Sequence, residues 1–312
     1  MSSSRRLSPT RRIPLLPGLV AIAIVAAVTV GAWLQFGERQ ALDTVYTAGR
    51  SEPDRVDVDA TIQRVDAAGR EMVLRVLVTP RGALAEAGGI SPVEDLVLQT
   101  STATRGDLTF KAHQRIATMD VPVALTGGSI TDYPFDAYEA AVEFGAVLGG
   151  EKVPVRVALS NNDVLFAATV EPSTAQGVAV VDIGLARSNS VLVFAVFMML
   201  AMWALAVSVL IGGWYLVTRR KGLTWPALGW MAATLFALAA FRNTAPGAPP
   251  IGCLLDYIAF LWAETVIAFC LITVVICGIR AEPPAEEPTE PAEPTEPTGS
   301  AEPTGSAGSA GR

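Results

Sequence analysis

One histidine and three cysteines among 312 residues leave this chain short of the side chains that most often carry chemistry. A Ser-His-Asp arrangement would have to use His113, which lies in a polar stretch with Lys111 and Arg115 and reads as a solvated surface residue. Zinc sites built from His and Cys cannot be assembled, because Cys253, Cys270 and Cys277 all fall in one apolar run. Cys270 and Cys277 are seven apart on one helix face, too distant to bond to each other, and read as small packing or lipid-facing residues. No Gly-rich phosphate loop follows a candidate strand. These absences argue against an enzyme and leave no catalytic, cofactor-binding or metal-ligating set to name.

Positive charge is scarce where the chain is polar. Residues 38–188 carry 21 acidic and 13 basic side chains, a net of −8, which argues against nucleic acid as a partner. The carboxylates of Asp54, Asp57 and Asp59 lack the spacing of a recognised calcium loop and read as one solvated face of a strand.

Long apolar runs are what the chain has in quantity. Residues 13–36, 189–217, 223–241 and 253–279 are each long enough to be read as helices crossing a hydrocarbon core of about 30 Å. The second, at 1.5 Å per residue, would rise about 43 Å and must tilt or project. Short loops rich in Lys and Arg stay cytoplasmic. Arg5, Arg6, Arg11 and Arg12 in residues 1–12, Arg219, Arg220 and Lys221 between the second and third runs, and Arg280 after the fourth all fall on one side. Arg242 alone stands in the opposite loop. The expected localisation is the plasma membrane, multi-pass, with both termini cytoplasmic and residues 37–188 outside. Val30-Gly31-Ala32 offers the alternative of a cleaved signal peptide, but the apolar run exceeds the roughly 7–15 residues usual for one. Small residues recur four apart in Ala23/Ala27/Gly31, Ala204/Ser208/Gly212 and Gly229/Ala233/Ala237, the spacing that lets helices approach closely in lipid. They predict a compact four-helix bundle, or an oligomer using the same faces.

Residues 37–188 switch to short alternating segments punctuated by Gly, Pro, Asn and Asp, the pattern of antiparallel strands. Runs 56–65, 71–79, 121–126, 138–148, 153–160, 164–171 and 178–185 are candidate strands, and their number fits a β-sandwich. The 71–78 run alternates imperfectly and reads as buried on both faces for part of its length. Asn161-Asn162-Asp163 predicts a tight hairpin turn, since Asn and Asp tolerate the left-handed conformation. Residues 281–312 repeat Glu-Pro-Thr four times with seven Glu and nothing to build a core, the composition of a disordered, acidic, Pro-rich tail. The tail reads as a linker or solubilising brush, or as a docking segment for a basic partner. The expected fold class is therefore α+β: a β-sandwich exported domain on one N-terminal and three C-terminal transmembrane helices.

Two groups of residues stand out as more than scaffolding. Glu264 falls about 16 Å below Cys253 at helical rise, near a bilayer midplane, where ionisable groups are costly and usually face a partner. It reads either as a proton or ion site or as a structural hydrogen bond to Ser208, Thr234 or Trp203. Asp256, nearer the outer interface, can pair with Arg242 or Arg187, and the loop 242–252 is stiffened by three prolines and can carry the β domain. In the second group, Tyr133-Pro134-Phe135-Asp136, the proline imposes an extended turn. Phe135 is expected to plug the base of the domain and Asp136 to accept backbone hydrogen bonds.

Tyr133-Pro134-Phe135-Asp136-Ala137-Tyr138, with Phe241-Arg242-Asn243, the 246–252 Pro-Gly-Ala-Pro-Pro-Ile-Gly segment, Asp256 and Trp262, resembles a family of actinobacterial membrane proteins classed only as a domain of unknown function. The resemblance spans roughly residues 15–280 and implies a cell-envelope setting, the same one-plus-three topology and no assigned activity. The Tyr-Pro-Phe-Asp stretch is also similar to the loop by which the β-sandwich of pentameric ligand-gated channels meets its membrane helices. That likeness implies a coupling role for Phe135 and Asp136 against the outer helix ends. The chain departs from it in helix number and in lacking a polar pore-lining stripe. The expected partners are the lipid bilayer and either further copies of the chain or an envelope protein.

Overall fold

The alternation of apolar and polar residues between Tyr46 and Arg187 builds eleven strands among the described residues. In chain order they are β1 Tyr46–Gly49, β2 Val56–Asp66, β3 Glu71–Pro80, β4 Leu96–Thr100, β5 Leu108–Phe110, β6 Met119–Ala124, β7 Ala137–Leu148, β8 Glu151–Val153, β9 Val155–Asn161, β10 Phe166–Ala175 and β11 Val178–Arg187. They form two sheets, ordered β1-β9-β2-β3-β6 and β10-β11-β7-β4-β5, with β8 added to β7. The structure is a computed structural model, and it describes residues 15–101, 106–175, 178–219 and 224–281. Arg5, Arg6, Arg11, Arg12, Arg220, Lys221 and the acidic tail beyond residue 281 lie outside the described residues.

Buried side chains from both sheets, among them Val58, Ile62, Leu74 and Val157 from one and Leu98, Phe144, Val181 and Ile183 from the other, share a single core. β3 buries Met72, Leu74, Val76 and Val78 on one face only, correcting the expectation of two buried faces. The opposite face carries exposed Arg75 and half-buried Val73 and Leu77. β2 keeps its apolar residues inward across a bulge between Ile62 and Arg64, which moves the buried set from even positions to Val65. Pro122 sits in edge strand β6, where its missing N–H costs no ladder bond to a further strand.

Two features differ from the sequence-based expectations. β9 pairs with β2 in parallel, so the sheets are antiparallel-rich rather than wholly antiparallel. The Asn161-Asn162-Asp163 segment is not a hairpin: β9 and β10 belong to different sheets, and no residue of the segment has positive φ. Its side chains do the work of a ladder instead. Asp163 accepts from the N–H of Val65 at 2.6 Å and of Leu165 at 2.7 Å, and Asn161 donates to the Phe166 carbonyl at 2.7 Å. β1, β4, β5 and β8 were not foreseen, since runs of three to five residues carry too little alternation to be recognised.

Helix α1, Leu15–Leu42, precedes the strands, and α2, Asn189–Thr218, follows β11 after one residue. α3 spans Trp225–Arg242, and a π-helical segment, Asp256–Phe260, leads into α4, Leu261–Ala281. Two of these, Asn189–Thr218 and Asp256–Ala281, are long and apolar enough to cross a membrane. α2, α3 and α4 share a core in which a Cβ on Gly213 would lie within 3.7 Å of Met231, Cys270 and Val274, one helix from each direction. α1 meets α2 where Glu38 accepts from the Ser190 N–H, while Ala27, Gly31 and most other described α1 side chains are exposed. Ala204, Ser208, Gly229, Ala233 and Ala237 are also exposed. Of the described stripe residues only Gly212 packs within the chain, where a Cβ would lie 3.2 Å from the Trp230 ring; α2 packs otherwise through Ala195, Met198, Met202, Ala206 and Gly213.

Asp163→Ala strands the buried N–H of Val65, at a cost of about 1–3 kcal/mol, and the half-buried N–H of Leu165, at less. Thermal unfolding of the detergent-solubilised chain, followed by circular dichroism, is expected to move to lower temperature, with Asp163→Asn retaining part of the loss.

Candidate functional site

The segment that ends the 3₁₀ turn Ile130–Asp132 places Tyr133 at the meeting of sheets and helices. Tyr133 is fully buried, and it belongs not to the sandwich core but to the helix core, with Val191, Ala195, Ala245, Cys253 and Leu255. Phe135, expected to plug the base, is 56 % exposed. Its N–H closes a turn onto the Asp132 carbonyl at 2.8 Å, which sends the ring outward and leaves the plugging to Tyr133. Pro134, joined to Tyr133 by a cis peptide, is buried beside it in sequence.

Among the described residues no backbone N–H donates to Asp136, contrary to expectation, because a guanidinium and a phenol occupy it. Arg187, the last residue of β11, donates from Nε and Nη2 at 2.9 Å each, and Tyr138 donates its hydroxyl at 3.0 Å. The two charged side chains are 2 % and 0 % exposed. A pair this deep is stable only if each ion is fully compensated, since desolvation costs several kcal/mol per ion. Compensation continues on the faces of the guanidinium, which lies 4.2 Å from the Phe166 ring centroid and 5.2 Å from that of Tyr133. Gly247 passes so close that a Cβ there would sit 2.7 Å from Arg187 Nη1, and its φ of +76° suits glycine. The proline-rich loop thus rests against the β domain at Arg187 and Leu165.

A second buried pair closes the other side. Arg242 donates Nε and Nη2 to the two oxygens of Asp256 at 2.7 Å each, and its remaining donors reach the carbonyls of Pro249 at 3.0 Å and Pro250 at 2.9 Å. Gly252 N–H adds a 2.7 Å bond to Asp256. Asp256 opens the π segment, inside which the Trp203 indole donates to the Ile258 carbonyl at 3.2 Å. Of the two partners read for Asp256, the structure joins it to Arg242 and gives Arg187 to Asp136.

Between the pairs, the Tyr133 hydroxyl is buried and makes no hydrogen bond among the described residues. Burial raises its pKa to about 12, with Asp136 adding and Arg187 opposing, so the phenol is neutral at any physiological pH. Burial also raises that of Tyr138, helped by the charge of Asp136 and the hydrogen bond to it.

Glu264 stands apart from this junction, half-buried on α4. The three donors suggested for it are engaged elsewhere: Ser208, Thr234 and Trp203 donate to the carbonyls of Ala204, Trp230 and Ile258. This corrects the structural hydrogen-bond reading. His113 is exposed and pairs with Glu86. Asp57 is not solvated as expected but 9 % exposed, held by Arg55 at 2.6 Å and Arg81 at 2.8 Å, while Asp54 accepts from Ala83 N–H at 2.7 Å. No group of three or more His, Cys, Asp or Glu among the described residues could hold a metal ion.

Two stretches of the chain match family models. Residues 46–185 match the one described as Domain of unknown function (DUF4436), and residues 187–281 the one described as Domain of unknown function (DUF8686). No curated protein matches the chain. The chain is thus similar to two domains to which no activity is attached, and α1 lies in neither match. The first match ends two residues before Arg187, with which the second begins, so the Asp136–Arg187 pair joins one matched stretch to the other.

Sequence reasoning missed the pairing of Arg187 with Asp136 and the parts of Tyr138 and Phe166 in it. A usable signal was present: an arginine ending a strand two residues before a 30-residue apolar helix needs a counter-ion close by.

Because its hydroxyl lacks a partner, Tyr133→Phe is expected to leave the melting temperature of the solubilised chain unchanged or raise it, whereas Tyr133→Ala lowers stability by about 3–5 kcal/mol. At Asp57, burial pushes the carboxyl pKa up, but hydrogen bonds from Arg55 and Arg81 and their charges outweigh it, so the net direction is down. A lowered folded-state pKa gives stability that is complete above the unfolded value of about 3.9 and is lost as pH falls through the folded value. The stability gap between the wild type and Asp57→Asn should therefore be widest near neutrality and close below about pH 4.

Proposed function

We propose that this chain is a multi-pass integral membrane protein whose β domain stands outside the plasma membrane, fixed on the outer helix ends, as a non-enzymatic binding or accessory module of the cell envelope. The observation that carries this reading is the junction itself: Tyr133 in the helix core between two buried ion pairs, an arrangement that presents a β domain at a set position. The length and apolar character of α2 and α4 support insertion, as do the exposed Phe197, Leu200, Trp214, Phe236, Phe269 and Ile272 spread over the helices. α1 and α3 complete a four-helix transmembrane set in this reading. The Arg and Lys residues beside the helices support cytoplasmic termini. The motif resemblance supports an actinobacterial envelope, with lipid, further copies or an envelope protein as partners and no nucleic acid.

A second reading, an oligomeric conducting or transporting protein, is supported by Glu264. An ionisable group deep in an apolar helix with none of its candidate donors free suits a proton or cation site between copies.

Topology is tested with an added cysteine at Val164 in the β domain and another at Ser306 in the tail, using a membrane-impermeant maleimide. Labelling of Val164→Cys on intact cells and of Ser306→Cys only after permeabilisation is expected; the reverse pattern overturns the orientation. Reconstituted in proteoliposomes, the wild type should pass neither protons nor monovalent cations. A flux that Glu264→Gln abolishes without altering insertion would replace the accessory reading with the second one.

A further inference from the structure

A cavity of about 460 Å³ lies where α1 leaves the helices and β11 enters α2, within the size range of small-molecule sites of about 300–1,000 Å³. Its apolar wall is made by Leu42, Leu165, Val191 and Phe194, and Ala167 of β10 borders it. Most polar groups around it are already engaged. Asp163 accepts from Val65 and Leu165, Glu38 from Ser190 N–H, and the hydroxyls of Ser188 and Ser190 meet each other at 3.2 Å. Tyr46 donates to the Ala168 carbonyl and Thr44 to that of Gln40. Gln35 and Arg39, four apart on α1 and both lining the cavity, have no hydrogen bond or ion pair among the described residues. A guanidinium and an amide thus stand open at one end of an apolar slot.

We propose that this cavity binds an anionic phospholipid of the outer leaflet, its phosphate on Arg39 and Gln35 and the start of an acyl chain against Val191 and Phe194. The inference rests on the membrane reading above, which sets the cavity at the level where α1 and α2 cross from hydrocarbon to headgroups. At that depth phospholipid is the concentrated amphiphile, and it matches both halves of the wall. Arg offers a planar donor fork suited to phosphate oxygens, and an acyl chain fills apolar space that water occupies poorly. Glu38 is held by the α2 N-terminus, so it does not neutralise its neighbour Arg39. The site draws on α1, the β domain and α2 together, and a lipid there would tie α1, which among the described residues shares no core with the other helices, to the rest of the chain.

The test is native mass spectrometry of the full-length, detergent-purified chain titrated with equal amounts of phosphatidylglycerol and phosphatidylcholine. Expected is one retained phosphatidylglycerol, preferred over phosphatidylcholine by about tenfold or more, because phosphatidylcholine has the same phosphate but adds a choline cation that Arg39 repels. Arg39→Gln should abolish the preference, and Ala167→Trp, which fills the slot from an exposed strand position, should remove retention of both lipids. Each variant is used only if its melting temperature matches the wild type. Wild-type retention of no phosphatidylglycerol, or equal retention by wild type and both variants, overturns the proposal. Displacement of the lipid by millimolar inorganic phosphate also overturns it, by identifying a free-anion site. Extraction of the chain from membranes by alkaline carbonate defeats the membrane reading instead; resistance to carbonate without lipid retention defeats this inference alone.

Discussion

A buried positive charge at the seam between sheet and helix is the constraint around which this molecule is arranged. Arg187 ends β11, and only Ser188 separates it from α2, so its guanidinium has no route to solvent and must be neutralised in place. Asp136 supplies the counter-charge from the adjoining position of the β7–β11 ladder, and in doing so it holds the 130–136 segment at the end of the sheet that faces the helices. Tyr133 is carried into the helix core by that attachment, and Phe166 and Tyr133 cover the guanidinium faces that hydrogen bonds cannot reach. Gly247 then follows from the same charge, because no side chain fits where the loop crosses it.

The Arg242–Asp256 pair obeys the same logic with different materials. Its guanidinium is completed by carbonyls of Pro249 and Pro250 rather than by aromatic rings. Prolines fix the direction in which those carbonyls point, so the rigid loop serves as a set of acceptors. Buried ion pairs are poor contributors to net stability compared with apolar packing, yet removing one member leaves an uncompensated buried charge at a cost of several kcal/mol. The first pair extends the β7–β11 ladder inside the β domain and the second closes the loop of the helices, so the orientation of the β domain is set between them, by Tyr133 in the helix core and by Gly247 against Arg187.

Much of this fold was legible because periodicity survives into structure. Seven candidate strands fall on β2, β3, β6, β7, β9, β10 and β11, and the long apolar runs fall on helices. What could not be read is partner choice. Asn161-Asn162-Asp163 has the composition of a hairpin but crosses between sheets, since side-chain hydrogen bonds to backbone serve either purpose. The small-residue stripes on α2 and α3 face outward except at Gly212, because spacing says which residues share a face and not which face is buried. In Tyr133-Pro134-Phe135-Asp136 the sequence marked the right segment and the wrong ring, because a local turn decides whether Tyr133 or Phe135 points inward. Of the candidate residues, Arg242 and Asp256 pair as charge complementarity suggests, while Glu264 has its expected donors taken by backbone carbonyls.

The direct passage from β11 into α2 sets how motion travels through the protein. Ordinary domains are joined by pliant linkers that absorb displacement; here strand and helix are one continuous strut with a single residue at the elbow, braced on either side by Asp136 and Gly247. A shift of the β11 register has to move the first turn of α2 with it, since one residue leaves no slack between them.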